Sequence, residues 1–253
     1  MTCLKITALN LDIRWKNQGE NFELISKEIQ NVETDVLLLP EMFSTGFCME
    51  PAQIADGDEV TLNWMKNLAQ ERDFAVAGSV SIAENGKFYN RFYFVEPNGR
   101  CHFYDKRHLF SYSGEDEVYS KGKDRVVFDY KGVRILLQVC YDLRFPVFAR
   151  NINDYDLALY VANWPEARVD AWRTLLKARS IENQAYVFGV NRIGVDGNNL
   201  KYEESTDCYF PDGSIVSEKK GNLVTARVDL EILDVFRKRF QFLNDADSFQ
   251  LDV

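Results

Sequence analysis

Histidine is scarce in this chain: 253 residues hold only two, His102 and His108. Neither lies in a cluster of metal-ligand type, which argues against a metal-dependent hydrolase such as a phosphodiesterase. The five cysteines are odd in number and irregularly spaced, with no CxxC pair. A disulfide framework or a zinc site is therefore not expected, and a reducing cytoplasm is. Cys3, Cys48, Cys101 and Cys208 read as small buried hydrophobes. No stretch approaches the roughly 20 apolar residues that a spanning helix needs. The opening Met1-Thr2-Cys3-Leu4-Lys5-Ile6 lacks the charged-then-apolar pattern of a signal peptide. Basic tracts are missing as well, and a net charge of -9 disfavours nucleic acid and anionic membranes as partners. Linkers, low-complexity tracts and short repeats are absent, so residues 1–253 read as one domain.

What is there is ordinary apolar content, 46%, arranged in short segments. Residues 4–13 read as a first strand. Phe22, Ile25, Ile29 and Val32 recur at helical spacing. Residues 36–39 are wholly apolar, as in a strand covered on both faces. A second helix is expected through Val60, Trp64, Met65 and Leu68. Residues 74–82 and 88–95 flank Glu84-Asn85-Gly86-Lys87, and Asn-Gly is a strong hairpin signal. Pro97-Asn98-Gly99 marks a turn before a strand at 101–104. Residues 126–130 should pair with 133–139 across Lys131-Gly132. A strand at 156–161, a helix at 171–184 and a strand at 185–191 follow. Pro211-Asp212-Gly213 and Lys220-Gly221-Asn222 punctuate the last strands. A final helix carries Leu230, Leu233, Val235 and Phe236. The tail, 241–253, holds Phe242, Leu243, Phe249 and Leu251, and its apolar content suggests cover by a second subunit. The class is α/β with mixed sheets, satisfied by two sheets packed face to face with helices outside.

Three reactive side chains stand at strand ends. Glu41 closes Val36-Leu37-Leu38-Leu39-Pro40, Lys106 follows Cys101-His102-Phe103-Tyr104-Asp105, and Cys140 ends Val133–Val139. A turn and a helix are expected beyond Cys140, whose backbone N–H groups would favour the thiolate. A thiolate attacks an electrophilic carbon, and something must take its proton and return one to the leaving nitrogen. With imidazole so scarce, a carboxylate raised by burial would replace it, and Glu41 suits that role. Lys106 and the backbone N–H after Cys140 would hold an oxyanion. Taken singly, each residue has a plainer reading: a loop charge, a solvated lysine, a buried filler.

Leu38-Leu39-Pro40-Glu41, Tyr104-Asp105-Lys106-Arg107-His108-Leu109-Phe110 and Val139-Cys140-Tyr141-Asp142-Leu143-Arg144-Phe145-Pro146 together resemble the nitrilase, or carbon–nitrogen hydrolase, superfamily. The likeness runs from the first strand through Ala178-Arg179-Ser180-Ile181-Glu182-Asn183 to the strand near Val224. Around Cys140 it looks most like the ω-amidase branch, whose members hydrolyse 2-oxoglutaramate and 2-oxosuccinamate. The resemblance implies a four-layer α-β-β-α sandwich, homo-oligomers built on a dimer, and no metal or organic cofactor. It also implies Glu41 as general base and acid, Lys106 as oxyanion support and Cys140 as nucleophile. A second glutamate should lie in the loop after the lysine. Glu115, seven residues before Gly122, fits best, with Asp116 and Glu117 adjacent; a plain acidic loop is the alternative.

An ω-amidase must also hold the carboxylate at the far end of its substrate. Arg173, near the start of the 171–184 helix, is the candidate, since a guanidinium grips a carboxylate through two parallel hydrogen bonds. Surface pairing of Arg173 with Asp170 or Glu166 is the competing reading. Thr174 beside it, with Phe43, Tyr141 and Trp164, would wall the pocket, although aromatics at strand ends also serve as plain core. Rival functions are a nitrilase or N-carbamoyl amino acid hydrolase of the same superfamily, or a non-catalytic scaffold on the same fold.

Overall fold

Alternation with period two decides the architecture. In a computed structural model that describes residues 3–250, the first strands are β1 (Cys3–Leu9), β2 (Val36–Leu38), β3 (Ala75–Glu84), β4 (Lys87–Val95), β5 (Cys101–Asp105), β6 (Val127–Tyr130) and β7 (Val133–Val139). They are followed by β8 (Leu157–Ala162), β9 (Tyr186–Asn191), β10 (Gly194–Val195), β11 (Lys201–Tyr202), β12 (Asp207–Tyr209), β13 (Glu218–Lys220) and β14 (Leu223–Asp229). One sheet has the order β13-β14-β1-β2-β3-β4-β5, the other β12-β9-β8-β7-β6, and β10-β11 forms a separate ribbon. The helices are α1 (Gln18–Glu28), α2 (Pro51–Ile54), α3 (Val60–Arg72), α4 (Glu115–Val118), α5 (Val169–Asn183) and α6 (Leu230–Arg239).

Successive side chains of a strand point to opposite faces. Leu4, Ile6 and Ala8 of β1, Val36 and Leu38 of β2, Ile135 and Leu137 of β7, and Leu157, Leu159 and Val161 of β8 therefore meet in one core between the sheets. The alternate residues pack outward. Leu37, Val76 and Val80 meet Ile25 of α1 and Met65 and Leu68 of α3. Leu136, Ala158, Tyr160 and Val187 meet Trp172 and Leu176 of α5. Four layers result, in the order helices, sheet, sheet, helix. Each buried Leu or Ile contributes about 1.5–3 kcal/mol relative to an exposed one, so the two-faced apolar strands hold this stack together.

The expected hairpins form. Asn85 and Gly86 both take positive φ, 51° and 73°, as a two-residue turn that matches strand twist requires, and Glu84 pairs with Lys87. Lys131 and Gly132 repeat the device, at 52° and 82°. Some boundaries differ from expectation. Strand β1 ends at Leu9, and the Asn10 N–H adds one last bond in the register of its pairing with β14, to Asn222 O (2.8 Å); Leu11 and Ile13 are still buried in the outer core. Helix α1 stops at Glu28, leaving Ile29 as its cap. Cys48 and Cys208 are buried, but Cys101 is only half-buried and Cys3 is exposed. In the tail, Phe242–Asp245 is a 3₁₀ turn with Leu243 buried, while Phe242 and Phe249 are exposed; Leu251 lies outside the described residues.

Candidate active site

Parallel strands bring their carboxyl ends together, and the reactive groups sit there. Strand β2 runs parallel to β1 and β3, and β7 runs parallel to β8. Glu41 lies just past β2, Cys140 directly follows β7, and Asn163 directly follows β8. Across the sheets, the Asn163 backbone N–H donates to Glu41 Oε2 (2.9 Å) and its side-chain Nδ2 to Glu41 O (2.5 Å). Lys106 follows β5, and its own N–H donates to Asn90 O on β4 (2.9 Å).

Three charges are buried in mutual contact. Lys106 Nζ lies 2.9 Å from Glu41 Oε1 and 2.9 Å from Glu115 Oε2, and all three residues are at most 1% exposed. Asn90 Nδ2 donates to both carboxylates, at 2.8 and 3.1 Å, and is itself fixed by Ser79 Oγ at 2.9 Å. Isolated charges buried this deeply would cost several kcal/mol each, so mutual pairing with extra hydrogen bonds is what makes the cluster tolerable. Burial alone would lower the Lys106 pKa, but Glu115 and Glu41 outweigh it and hold the ammonium well above its usual range. Burial pushes the Glu115 carboxyl up against the pull of Lys106, and the charge of Glu41 pushes the same way.

The acidic loop 113–117 is resolved by burial. Glu115 opens the short α4 and is fully buried, while Asp116 and Glu117 are exposed. Its Oε2 also accepts the Phe110 N–H at 2.6 Å. Gly122 passes the lysine closely: its N–H donates to Lys106 O (2.9 Å), and a Cβ there would lie 2.1 Å from Asp105 O. Only glycine fits at that point.

Cys140 does not begin a long helix. It starts a single 3₁₀ turn, Cys140–Arg144, with a φ of +44°. A non-glycine residue held there stores roughly 1–3 kcal/mol of strain, sustained by its surroundings. Asp142 supplies that support. Its carboxylate accepts the Val139 N–H (2.9 Å), the Tyr104 hydroxyl (2.9 Å) and the His108 N–H (3.0 Å). His108 Nδ1 also meets it at 2.8 Å, and the imidazole stacks on Phe145. The expected thiolate is not favoured at rest. Burial, followed by the charge of Glu41, pushes the Cys140 thiol well above its usual range, against the pull of Lys106. The backbone N–H groups of one tight turn do not offset two carboxylates. The thiol points to Asn163 O, 4.0 Å away, and Asn163 is the residue whose N–H is bound by Glu41.

A cavity of about 480 Å³ opens above this floor, within the size range of small-molecule sites. Cys140, Lys106, Tyr141 and Trp164 line it. Phe43, Arg173 and Thr174 do not. Phe43 is fully buried beneath β3, against Gly78, and belongs to the core. The Arg173 guanidinium pairs instead with Glu203 (2.9 Å) and donates to Glu204 O (3.0 Å) at the surface, and Thr174 is exposed. One helical step places Trp172 inward and its two followers outward. Besides Lys106, the cations that line the cavity are Arg144 and Arg168. Arg144 lies over the Trp164 ring, 4.9 Å from its centroid, and Arg168 over Phe110 at 5.4 Å. Among the described residues no cluster of three or more His, Cys, Asp or Glu could hold a metal ion, and no helix is long and apolar enough to cross a membrane.

Residues 5–238 match the carbon-nitrogen hydrolase family. The chain belongs to that family. It is thus a hydrolase acting on carbon–nitrogen bonds other than peptide bonds. Its relatives include Omega-amidase YafV of Escherichia coli K12, 44% identical over 256 residues that cover 99% of this chain and 100% of that one. The 2-oxoglutaramate amidase of Bacillus subtilis is 32% identical, covering 89% and 91%. Among solved structures, a CN-hydrolase superfamily protein from Xanthomonas campestris, with an arsenic adduct in its active site, superposes with a TM-score of 0.96 at 38% identity over 100% of both chains. The α-β-β-α layering derived above is the architecture of this family.

Asn90, Asn163, Arg144 and Arg168 escaped the sequence reading. Asn163 carried a usable signal, since it follows an apolar strand as Glu41 and Cys140 do. Asn90 carried none, being one polar residue inside an otherwise ordinary strand.

Proposed function

We propose that this protein is an ω-amidase, releasing ammonia from small ω-amide dicarboxylates such as 2-oxoglutaramate and 2-oxosuccinamate through a cysteine thioester. The observation that carries the chemistry is the different bonding of the two buried carboxylates. Glu115 is saturated by Lys106, Asn90 and the Phe110 N–H. Glu41 accepts Lys106 and Asn90 at Oε1 but only the Asn163 N–H at Oε2, which leaves Oε2 with capacity for the proton of the Cys140 thiol. Glu41 is therefore the proton carrier, and Glu115 orients Lys106.

The cycle begins with a neutral thiol. Glu41 takes its proton as the sulfur attacks the amide carbon. Lys106 and the Tyr141 N–H receive the developing oxyanion, at sites where one lost donor typically costs about 3–4 kcal/mol. Glu41 returns the proton to the departing ammonia, leaving a thioester. It then takes a proton from water, whose oxygen attacks the thioester carbon, and the acid and the thiol are released. The full-length likeness to Omega-amidase YafV supports the substrate class.

Arg144 holds the far carboxylate of the substrate. It replaces Arg173 in that role, because it faces the cavity from the turn that presents Cys140. Its guanidinium lies on an aromatic face, free of carboxylate partners among the described residues. Ammonia release from 2-oxoglutaramate by the purified protein, compared with a nitrile and an N-carbamoyl amino acid, tests the reading. Turnover of either of the latter in preference to the ω-amide would overturn it. A reducing cytoplasm suits the five free cysteines. The exposed Phe242 and Phe249 support burial of the tail, 241–253, against a second subunit, and sedimentation of the protein as a monomer at micromolar concentration would refute that.

A further inference from the structure

We propose that Arg168 is a specificity-determining residue: it lets the site accept a 2-oxo ω-amide and reject the 2-ammonium analogue. This rests on the ω-amidase reading above. Arg168 closes the 3₁₀ turn Glu166–Arg168 and lines the same cavity as Arg144. Trp164 ties the two together: its Nε1 donates to Arg168 O at 2.7 Å, and its ring lies under Arg144. Each guanidinium rests on an aromatic face, and among the described residues neither is paired with a carboxylate.

The acids of the same cavity are already satisfied. Glu50 is paired with Lys16. Asp196 accepts the N–H groups of Asn198 (2.8 Å) and Leu200 (3.0 Å) and the Tyr202 hydroxyl (2.9 Å). Asp196 keeps its charge, but both its oxygens are engaged by those donors, so the charged groups left open to a ligand are the two guanidinium groups. A substrate with one carboxylate neutralises one guanidinium and leaves the other facing whatever stands at the adjacent carbon. A 2-oxo oxygen accepts hydrogen bonds from a guanidinium. A 2-ammonium group brings only donors and a like charge, which an unpaired guanidinium at contact distance repels.

The test measures kcat/KM by ammonia release from 2-oxoglutaramate, from L-glutamine and from glutaramate, which has no group at that carbon. Wild type is compared with Arg168→Met, which keeps the contact with Phe110 and loses the charge, and with Arg168→Lys, which keeps the charge. The expected result is a fall of roughly tenfold or more in the 2-oxoglutaramate-to-glutamine ratio for the methionine variant, with most of the ratio kept by the lysine variant. An unchanged ratio, or an equal loss on all three substrates in both variants, overturns the role of Arg168 and leaves the ω-amidase reading standing. Wild-type protein that hydrolyses none of the three removes both.

Discussion

The floor and the rim of the cavity are built on opposite principles. On the floor, Lys106, Glu41 and Glu115 are buried and every charged atom is bound to another part of the cluster. At the rim, Arg144 and Arg168 rest on Trp164 and Phe110 and hold no ion-pair partner among the described residues. Low dielectric makes an unpaired charge expensive on the floor, so its geometry is over-determined. Solvent makes an unpaired guanidinium cheap at the rim, so that charge can stay available for a ligand. Fixed groups suit proton transfer and oxyanion support, and available ones suit recognition.

The largest expected effect is on the floor. Cys140→Ala should lower kcat/KM for an ω-amide by at least about 10⁴-fold, measured by ammonia release; activity kept within tenfold would end its assignment as nucleophile. Lys106→Met should cost about 10²–10³-fold in kcat and also destabilise the fold, because two carboxylates lose their shared cation; a denaturant midpoint unchanged from wild type would break the contrast with the rim. Arg144→Met should raise KM for 2-oxoglutaramate about 10–100-fold, the worth of a charge-assisted hydrogen bond, with kcat little changed. A fall in kcat alone would place Arg144 on the chemical side.

Alkaline stability sharpens the comparison further. In the folded chain Cys140 keeps its proton above pH 9, where the thiol of the unfolded chain ionises. Unfolding then releases a proton, so this thiol contributes stability that is present below about pH 9 and lost as pH rises toward its folded pKa. The loss is at most about 1.4 kcal/mol per pH unit. Cys140→Ala should lack that component, and parallel pH–stability curves for the two proteins would contradict it. The smallest effect belongs to Arg173. Its replacement by alanine should leave KM within about twofold, as is usual for an exposed ion pair.

Much of the fold was legible in the sequence because its signals are local. The Asn85-Gly86 turn, the doubly apolar β2 and the alternation of β7 and β8 each follow from neighbours a few residues away. The position of Glu41, Lys106 and Cys140 at strand ends was legible for the same reason. The end of β1 was not, since its extent is set by pairing with β14, more than two hundred residues on.

By itself, then, the sequence determined the strands, their turns and the three strand-end side chains, all consequences of backbone periodicity and turn chemistry. Tertiary structure alone decided which acid of the 113–117 loop is buried, which arginines face the cavity, and that Cys140 rests as a thiol. Those outcomes depend on what packs against each group from the opposite sheet, and a charge is set by its surroundings in space rather than by its neighbours in the chain.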